Sequence, residues 1–324
     1  MAYAQVITPS AERQLPPVVA QLQAVFDRMD DIPLVAALVG PTRRGPKGHP
    51  ARTLWHCFVA KHVLGLASTR ALIRTLENNP FIAHVCGIRG TVPHEATFSR
   101  FFARLASRKY LHLVKDVSRR LTQSCYRELP GFGQRVAMDS TTLKGWVNGG
   151  KPKPSDREAR WSVKKNTHGK TEFVLGYKLH LAVDCEYEIP IAASVSPGST
   201  HDAKRATYVL AEARRACGKF HPKYVIADTG YSGRPLHQFI KRQFRSIPVI
   251  QIHPMHRKKL ALEYQAAQTA EWKAIYAQRQ AVERVFSRLK GQRSLNSIRV
   301  RRLMKVTAHC YLSLIAMQAA TELA

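Results

Sequence analysis

The sequence predicts a mixed α/β fold, in which an all-α N-terminal part precedes a sheet with helices on both faces. Up to about residue 130, apolar residues recur at helical spacing. From Gln134 onward the predicted order is three strands, then helix, strand, helix, strand and helix. Three consecutive strands pair antiparallel and helix-linked strands pair in parallel, so this order predicts one mixed sheet.

The length of the chain and this change of pattern predict two domains. A chain of 324 residues exceeds the usual size of about 100 to 200 residues for one domain. We place a helical N-terminal domain at residues 1–130 and an α/β domain with a C-terminal helix at residues 131–324.

The charge of the chain indicates a polyanionic partner. Lys and Arg number 51 against 22 Asp and Glu, a formal net charge of +29. Because 45% of the residues are hydrophobic, this charge belongs to a folded protein and not to a disordered tail. Nucleic acid is the commonest partner of so basic a protein, and an anionic membrane surface is the competing one.

Other features exclude several classes of protein. No apolar run approaches the roughly 18 residues of a membrane-spanning helix, and no signal-peptide pattern opens the chain. We therefore expect a soluble, cytoplasmic protein. The six cysteines are scattered without a Cys-x2-Cys pair, which predicts reduced thiols and argues against a zinc site.

The N-terminal domain is predicted to consist of short helices separated by turn signals. The first spans residues 16–29, and a basic connector rich in Pro and Gly follows at 40–50. Further helices are placed at 51–66, 68–78, 80–86 and 109–129, with one more that begins near Pro93.

The helix that begins near Pro93 carries a basic stripe beside its apolar face. The stripe consists of Arg100, Arg104 and Arg108, at i, i+4 and i+8. This pattern is typical of the recognition helix of a helix-turn-helix unit that binds DNA. A bundle helix with a solvated basic side shows the same pattern, so both interpretations stay open.

The α/β domain is predicted to contain five strands and four helices. The strands are placed at 135–139, 173–184, 189–195, 224–228 and 247–252. The helices are placed at 203–216, 235–243 and 255–292, followed by an amphipathic helix that packs through Leu303, Val306, Cys310, Leu314 and Met317. Residues 141–170 are predicted to form a mobile basic loop, in which Trp146 and Trp161 either stack on an unpaired base or anchor the loop.

Acidic residues end two of these strands. Asp139 and Asp228 each follow an apolar run, where a carboxylate is costly unless it is hydrogen-bonded, paired or bound to a cation. Together with Glu283 on a facing helix they would form a cluster of hard oxygen ligands, as Mg²⁺ and Mn²⁺ prefer. Asp184, which also ends an apolar strand, and Asp202 are alternative ligands.

A polar stripe lies on the long helix predicted at 255–292. Tyr276, Arg279, Glu283 and Lys290 have the spacing Tyr-x2-Arg-x3-Glu-x6-Lys. At about 100° per residue they fall within a wedge of about 60° on one helix. By itself such a stripe would be an ordinary solvated face with charge pairs.

The stripe and the acids together resemble a known family. The chain is similar to the DDE transposases of bacterial insertion sequences, in the branch with the Tyr-x2-Arg-x3-Glu-x6-Lys signature. Asp139 and Asp228 match the two aspartate contexts of the family, and the segments 176–180 and 201–202 also resemble it. The resemblance covers roughly residues 50 to 315.

The resemblance implies a fold, a site and an activity. It implies a ribonuclease H-like DDE catalytic domain at 131–324, with Asp139, Asp228 and Glu283 as the catalytic acids. These acids would bind Mg²⁺ or Mn²⁺, and two ions suit the cleavage of a phosphodiester. Contacts to the cleaved DNA end are implied for Tyr276, Arg279 and Lys290.

The implied function is metal-dependent cleavage at the ends of the chain's own insertion sequence and strand transfer into target DNA. The implied partners are double-stranded DNA, both the terminal inverted repeats and the target, and a second copy of the chain as a homodimer on DNA. The N-terminal domain would bind the terminal repeats, in a protein associated with the bacterial nucleoid. Two alternatives stay open: a metal-dependent endonuclease of the same fold that does not join ends, and a DNA-binding derivative without catalysis.

Overall fold

A computed structural model describes residues 16–39, 48–148, 154–165 and 171–321. Most of the predicted connector at 40–50 and parts of the predicted loop at 141–170 lie outside these ranges. Within them, no helix is long and apolar enough to cross a membrane.

Before the first strand, the described residues form seven helices. They are α1 (Pro17–Arg28), α2 (Ile32–Leu38), α3 (Ala51–Val63), α4 (Thr69–Asn78), α5 (Pro80–Val85), α6 (Glu95–Leu105) and α7 (Arg108–Glu128). Local capping fixes several of these boundaries, as the Ser68 side chain accepts a hydrogen bond from the Ala71 N–H at the start of α4. The sequence predicts all of them except α2.

The prediction that three arginines share one helix is wrong. Helix α6 ends at Leu105, and Ser107 takes the N-cap position of α7. Arg100 and Arg104 therefore lie on α6, whereas Arg108 is the first residue of α7.

Six strands of the described ranges form one mixed sheet, which confirms the predicted sheet type. They are β1 (Arg135–Lys144), β2 (Arg160–Lys165), β3 (Thr171–Asp184), β4 (Pro190–Pro197), β5 (Tyr224–Ala227) and β6 (Ile247–Ile250). The order is β2-β3-β1-β5-β6, with β4 also paired to β3. Strand β3 is antiparallel to β1, β2 and β4, whereas β5 is parallel to β1 and β6. Strand β2 replaces part of the loop predicted at 141–170.

In the described ranges, the remaining helices follow the four antiparallel strands β1 to β4. They are α8 (Asp202–Cys217), α9 (Arg234–Phe244), α10 (Ala261–Ala266), α11 (Ala270–Ala277), α12 (Gln280–Gln292) and α13 (Leu303–Ala319). The helix predicted at 255–292 is thus three helices. Thr269 caps the start of α11 by accepting the Trp272 N–H, although no Gly or Pro marks the break. Gly291 lies inside α12, although glycine more often follows the end of a helix.

Helices cover both faces of the sheet, as predicted. On one face α12, α13 and the N-terminal helices share a single apolar core with side chains of β1 and β3, including Ala137 and Leu179. On the other face α8 and α9 pack against side chains such as Val136 and Val225. Helix α13 is buried on every side from Val306 to Ala319, so the prediction that it is amphipathic is wrong.

Because the N-terminal helices share this core with α12 and α13, they do not have an apolar interior of their own. The division into 1–130 and 131–324 stays a prediction.

Candidate active site

The first two predicted acids are neighbours on adjacent strands. Parallel pairing of β1 with β5 aligns Met138 with Ala227, so the next residue on each strand is Asp139 and Asp228. Asp228 directly follows β5, as predicted. Asp139 lies in the middle of β1 and not at its end, because pairing with β3 continues as far as Lys144.

Asp139 is a largely desolvated carboxylate. Its Oδ1 accepts the Ser140 N–H at 2.7 Å, and its Oδ2 lies 3.5 Å from Nη1 of Arg279. Burial raises the pKa of Asp139 to about 7, and the charges of Asp228 and Asp202 add to the rise, whereas the Ser140 N–H and Arg279 oppose it. Near neutral pH the metal-free site therefore holds the Asp139 carboxyl partly protonated.

Asp228 shows the same tendency. Its Oδ1 accepts the Gly230 N–H at 2.9 Å. Burial raises the pKa of Asp228, while this hydrogen bond and the positive charge of Arg279 lower it. Two neighbouring acids with raised pKa values form a site whose negative charge is under-compensated by the protein.

Because the pKa of Asp139 is raised, we expect replacing it by the uncharged Asn to increase thermal stability, and to do so more at high pH than at low pH. Because the folded chain holds the Asp139 proton up to about pH 7 and the unfolded chain releases it near 3.8, ionisation over that window costs stability. In chelator, Asp139→Asn is expected to melt several degrees above the wild type at about pH 8, with the gain vanishing near about pH 4. Melting curves across this range test it. Asp30→Asn, at an exposed ion pair with Arg120, is the control and should show no such trend. An equal gain at both ends of the range would contradict the expectation.

Glu283 reaches the two aspartates only through an arginine. Its side chain is 53% exposed, and its Oε1 lies 2.6 Å from Nη2 of Arg279. The guanidinium of Arg279 thus bridges the carboxylates of Glu283 and Asp139. Throughout the described ranges, no three His, Cys, Asp or Glu side chains come close enough together to hold a metal ion. The structure brings Asp139 and Asp228 together and leaves Glu283 at the edge of the site.

The other signature residues surround the same end of the sheet, although they are divided between two helices. Tyr276 lies on α11 and donates its hydroxyl to Oε1 of Gln251 at 3.0 Å. On α12, Nζ of Lys290 donates to Oγ1 of Thr141 at 2.5 Å. Thr141 lies two residues after Asp139, on the same face of β1.

Asp202, the other alternative ligand on sequence grounds, lies beside the candidate active site. His201 takes the N-cap position of α8, so Asp202 is the first helical residue. Its Oδ1 accepts hydrogen bonds from Oγ of Ser140 at 2.8 Å and from Nζ of Lys178 at 3.0 Å. Asp202 therefore ties β1 and β3 to α8 directly behind Asp139.

Tyr231 is a candidate site residue that was not predicted from the sequence. The side chain is 2% exposed, and its hydroxyl has no hydrogen-bond partner among the described residues. Burial, together with the charges of Asp139, Asp202 and Asp228, raises its pKa. The signal was its position three residues after Asp228, beyond a glycine turn that returns the chain toward the acids.

Asp184, an alternative ligand on sequence grounds, has a structural role. It accepts backbone N–H groups of Gly133, Glu186 and Tyr187 at 2.7, 3.0 and 2.7 Å. It pairs with Val136, near the start of β1, and its hydrogen-bonding capacity is used by the turn after β3.

Two of the three arginines of the predicted basic stripe are exposed. Arg100 and Arg108 are exposed to solvent, whereas Arg104 is half-buried and donates to the Tyr110 hydroxyl at 3.1 Å. In the described part of the chain none of the three contacts the acids.

Comparison with known proteins adds an independent finding. Residues 130–318 match the family model of the transposase DDE domain, and residues 10–104 match a model described as a transposase domain (DUF772). A comparison with curated proteins gave no match. Among solved structures, the Mos1 transposase in a paired-end complex with the left transposon end aligns with 76% of this chain and 80% of its own, at 17% identity and a TM-score of 0.21. A TM-score this low does not establish a shared fold.

Proposed function

We propose that this chain, which belongs to the transposase DDE domain family and is a DDE transposase, cuts DNA at the ends of its own insertion sequence and joins them to target DNA. The observation that carries this proposal is the neighbouring pair of desolvated acids, Asp139 and Asp228, inside the segment that the family model matches. The strand order, in which β1 to β4 pair antiparallel and β5 and β6 follow parallel to β1, supports a ribonuclease H-like sheet. The spacing of Tyr276, Arg279 and Lys290 around Glu283 supports the branch with that signature.

The acids fit a divalent cation by their donor chemistry. Asp139 and Asp228 offer hard carboxylate oxygens, which suit Mg²⁺ or Mn²⁺. Their raised pKa values and the partnerless Tyr231 hydroxyl leave a polar site that the protein itself does not complete. Glu283 would join the donor set, for one or two ions, once Arg279 releases it. When bound, such an ion supplies a Lewis acid that neutralises charge on phosphoryl oxygens.

The cations of the site are placed to hold the DNA backbone. The Arg279 guanidinium is a planar fork that matches phosphate oxygens, and the Lys290 ammonium is a point charge. In the DNA-free chain Arg279 neutralises Asp139 and Glu283. A phosphate of the cleaved end would take over its N–H groups, with Tyr276 against the adjacent nucleotide.

The N-terminal helices are proposed to bind the terminal inverted repeats as an all-α domain. The match to the second transposase model at 10–104 covers α6, which carries Arg100 and Arg104, and Arg108 follows at the start of α7.

Because an element has two ends and each chain has one acid site, a homodimer on DNA supplies a site for each end. Such an enzyme works in the cytoplasm, on the bacterial nucleoid.

The test is cleavage of a labelled duplex that contains the element's end and its flanking DNA. We expect nicking at the junction with Mg²⁺ or Mn²⁺ and complete loss of nicking in excess chelator. Because a ligand of the folded state stabilises it, Mg²⁺ should also raise the melting temperature of the wild type but not of Asp139→Asn. Chelator-resistant nicking, or an equal shift in both proteins, would contradict the metal site.

A further inference from the structure

A cavity of about 490 Å³ opens where the N-terminal helices meet the C-terminal part of the chain. On one side it is lined by residues of α3, the start of α4 and α6. Opposite them lie Trp146, just beyond β1, the connector before α13, and α13 itself. The cavity is thus built from both ends of the sequence.

The lining is strongly basic. It contains five cationic side chains, Lys61, Arg70, Arg299, Arg301 and Lys305. Its one acidic side chain, Glu95, is paired with Nε of Arg70 at 3.0 Å. The other four cationic side chains therefore have no acidic partner among the residues that line the cavity.

Lys61 is the most unusual of these residues because it is buried. The residue is 6% exposed, and no carboxylate of the described residues offsets its charge. Burial, followed by the charge of Arg299, lowers the pKa of Lys61 to about 8, which leaves it mostly charged at neutral pH. A buried charge without a counter-ion costs stability, so an anion from outside the chain would offset this cost.

The neighbours of Lys61 cannot supply that anion. The rings of His62 and His309 also line the cavity, with their centroids 4.9 Å apart. Burial lowers the pKa of both, and the charge of Lys61 lowers them further, so both rings are neutral. Helix α4 begins at the same cavity, with Ser68 and Thr69 in its lining, and the first N–H groups of a helix attract anions.

We propose that this cavity binds a backbone phosphate of duplex DNA, with Lys61 and Arg299 as its principal contacts. The proposal rests on the proposed function for its ligand. The chemistry of the lining specifies a phosphate group. An exposed Trp146 ring, 5.4 Å from the Arg299 guanidinium, adds a surface for the adjoining sugar or base.

The position of the cavity favours a phosphate of the same DNA end that the acids cut. The cavity lies on the face of the sheet that carries Asp139 and α12, and its wall at Trp146 begins where β1 ends. Asp139 and Lys144 are five residues apart on β1, which spans about 17 Å, or the length of about five base pairs. Nε of Arg301 donates to the Trp146 carbonyl at 3.1 Å, which joins this end of β1 to the basic connector. One duplex can therefore contact both sites.

The test uses a 30-base-pair duplex of arbitrary sequence and measures its dissociation constant against salt concentration. Each lost phosphate contact is expected to make the logarithmic salt slope less steep by about 0.9. We expect Lys61→Met and Arg299→Gln each to make the slope less steep by up to this amount and to bind the duplex roughly tenfold more weakly at low salt. Lys219→Met, which removes an exposed lysine outside the cavity, should leave the slope within error. Because Arg299 is exposed, its variant remains informative if Lys61→Met fails to fold.

A second measurement separates ligand binding from a structural role of Lys61. Without DNA, Lys61→Met should melt above the wild type, since it removes a desolvated charge. Unchanged salt slopes in both cavity variants, on a wild type that binds the duplex, would overturn the proposal and leave the proposed function intact. If inorganic phosphate stabilises the wild type but not Lys61→Met while the slopes stay unchanged, DNA is not the ligand. A wild type that binds no duplex at all contradicts the proposed function itself.

Discussion

Asp139→Asn and Asp228→Asn are each expected to abolish strand cleavage while DNA binding remains. The cleavage rate should fall at least about a thousandfold below that of the wild type. The two carboxylates are neighbours on paired strands, and both are desolvated, so neither can replace the other. Loss of a cation that supplies several kcal/mol of charge stabilisation lowers a rate by about this factor. Time courses of nicking on a labelled end fragment, with parallel binding measurements, give the two quantities.

The control for this prediction is Asp30→Asn, which changes the net charge by the same amount at an exposed ion pair with Arg120. It should cleave like the wild type. Nicking by Asp139→Asn or Asp228→Asn within tenfold of the wild type would remove that residue from the catalytic set. Glu283→Gln is informative in the same assay: it should also lose cleavage if Arg279 releases Glu283 when DNA binds.

Much of the secondary structure could be predicted because it depends on local signals. Turn residues and caps separate the N-terminal helices, and the alternation of apolar residues in β3 marks the face that includes Tyr177 and Leu179. The predicted order of strands and helices then leads to a mixed sheet with helices on both faces. The helix boundaries that were predicted wrongly are those where the local sequence signal is weak. No Gly or Pro separates α10, α11 and α12, and one Thr269 hydroxyl is enough to start a new helix.

The two aspartates of the candidate site could be predicted from the sequence, whereas the contacts they make could not. Asp139 and Asp228 follow apolar runs, so their desolvation is visible in the sequence. The length of β1 depends on its pairing with β3, about 40 residues away, and no local pattern in 140–144 indicates it. The bridge from Arg279 to Asp139 likewise depends on how α12 packs on the sheet. Contacts between distant segments set the geometry, and a single sequence does not specify them.

The same argument explains why the contacts of Asp202 could not be predicted. Its position after His201 at a helix start is typical of a cap. In the structure it meets Ser140 from β1 and Lys178 from β3, which are 62 and 24 residues away in sequence. These three residues meet only in the folded chain, so their hydrogen bonds could not be predicted from the sequence.

Lys290→Ala is expected to reduce the yield of cleaved and joined ends by roughly ten- to a hundredfold, with later steps slowed more than the first nick. The Lys290 ammonium lies at the Thr141 hydroxyl, two residues along β1 from Asp139, where a phosphate of the cut strand would pass. A charged hydrogen bond is worth about 1.5 to 3 kcal/mol, which gives this range if it is felt only in the transition state. Lys290→Arg keeps the charge in a longer, planar head group and should rescue only partly.

The matched control for Lys290 is Thr141→Val, which removes the hydroxyl that accepts from Lys290 and leaves the ammonium in place. If Lys290 acts on DNA, Thr141→Val should retain most of its activity, and Mg²⁺ should stabilise Lys290→Ala as it does the wild type. If instead Lys290 only braces β1 against α12, the two variants should lose activity and thermal stability together. A time course that resolves first nick, second-strand cut and strand transfer distinguishes these results. Wild-type kinetics of Lys290→Ala at all three steps would show that Lys290 is an ordinary solvated residue without a role in the reaction.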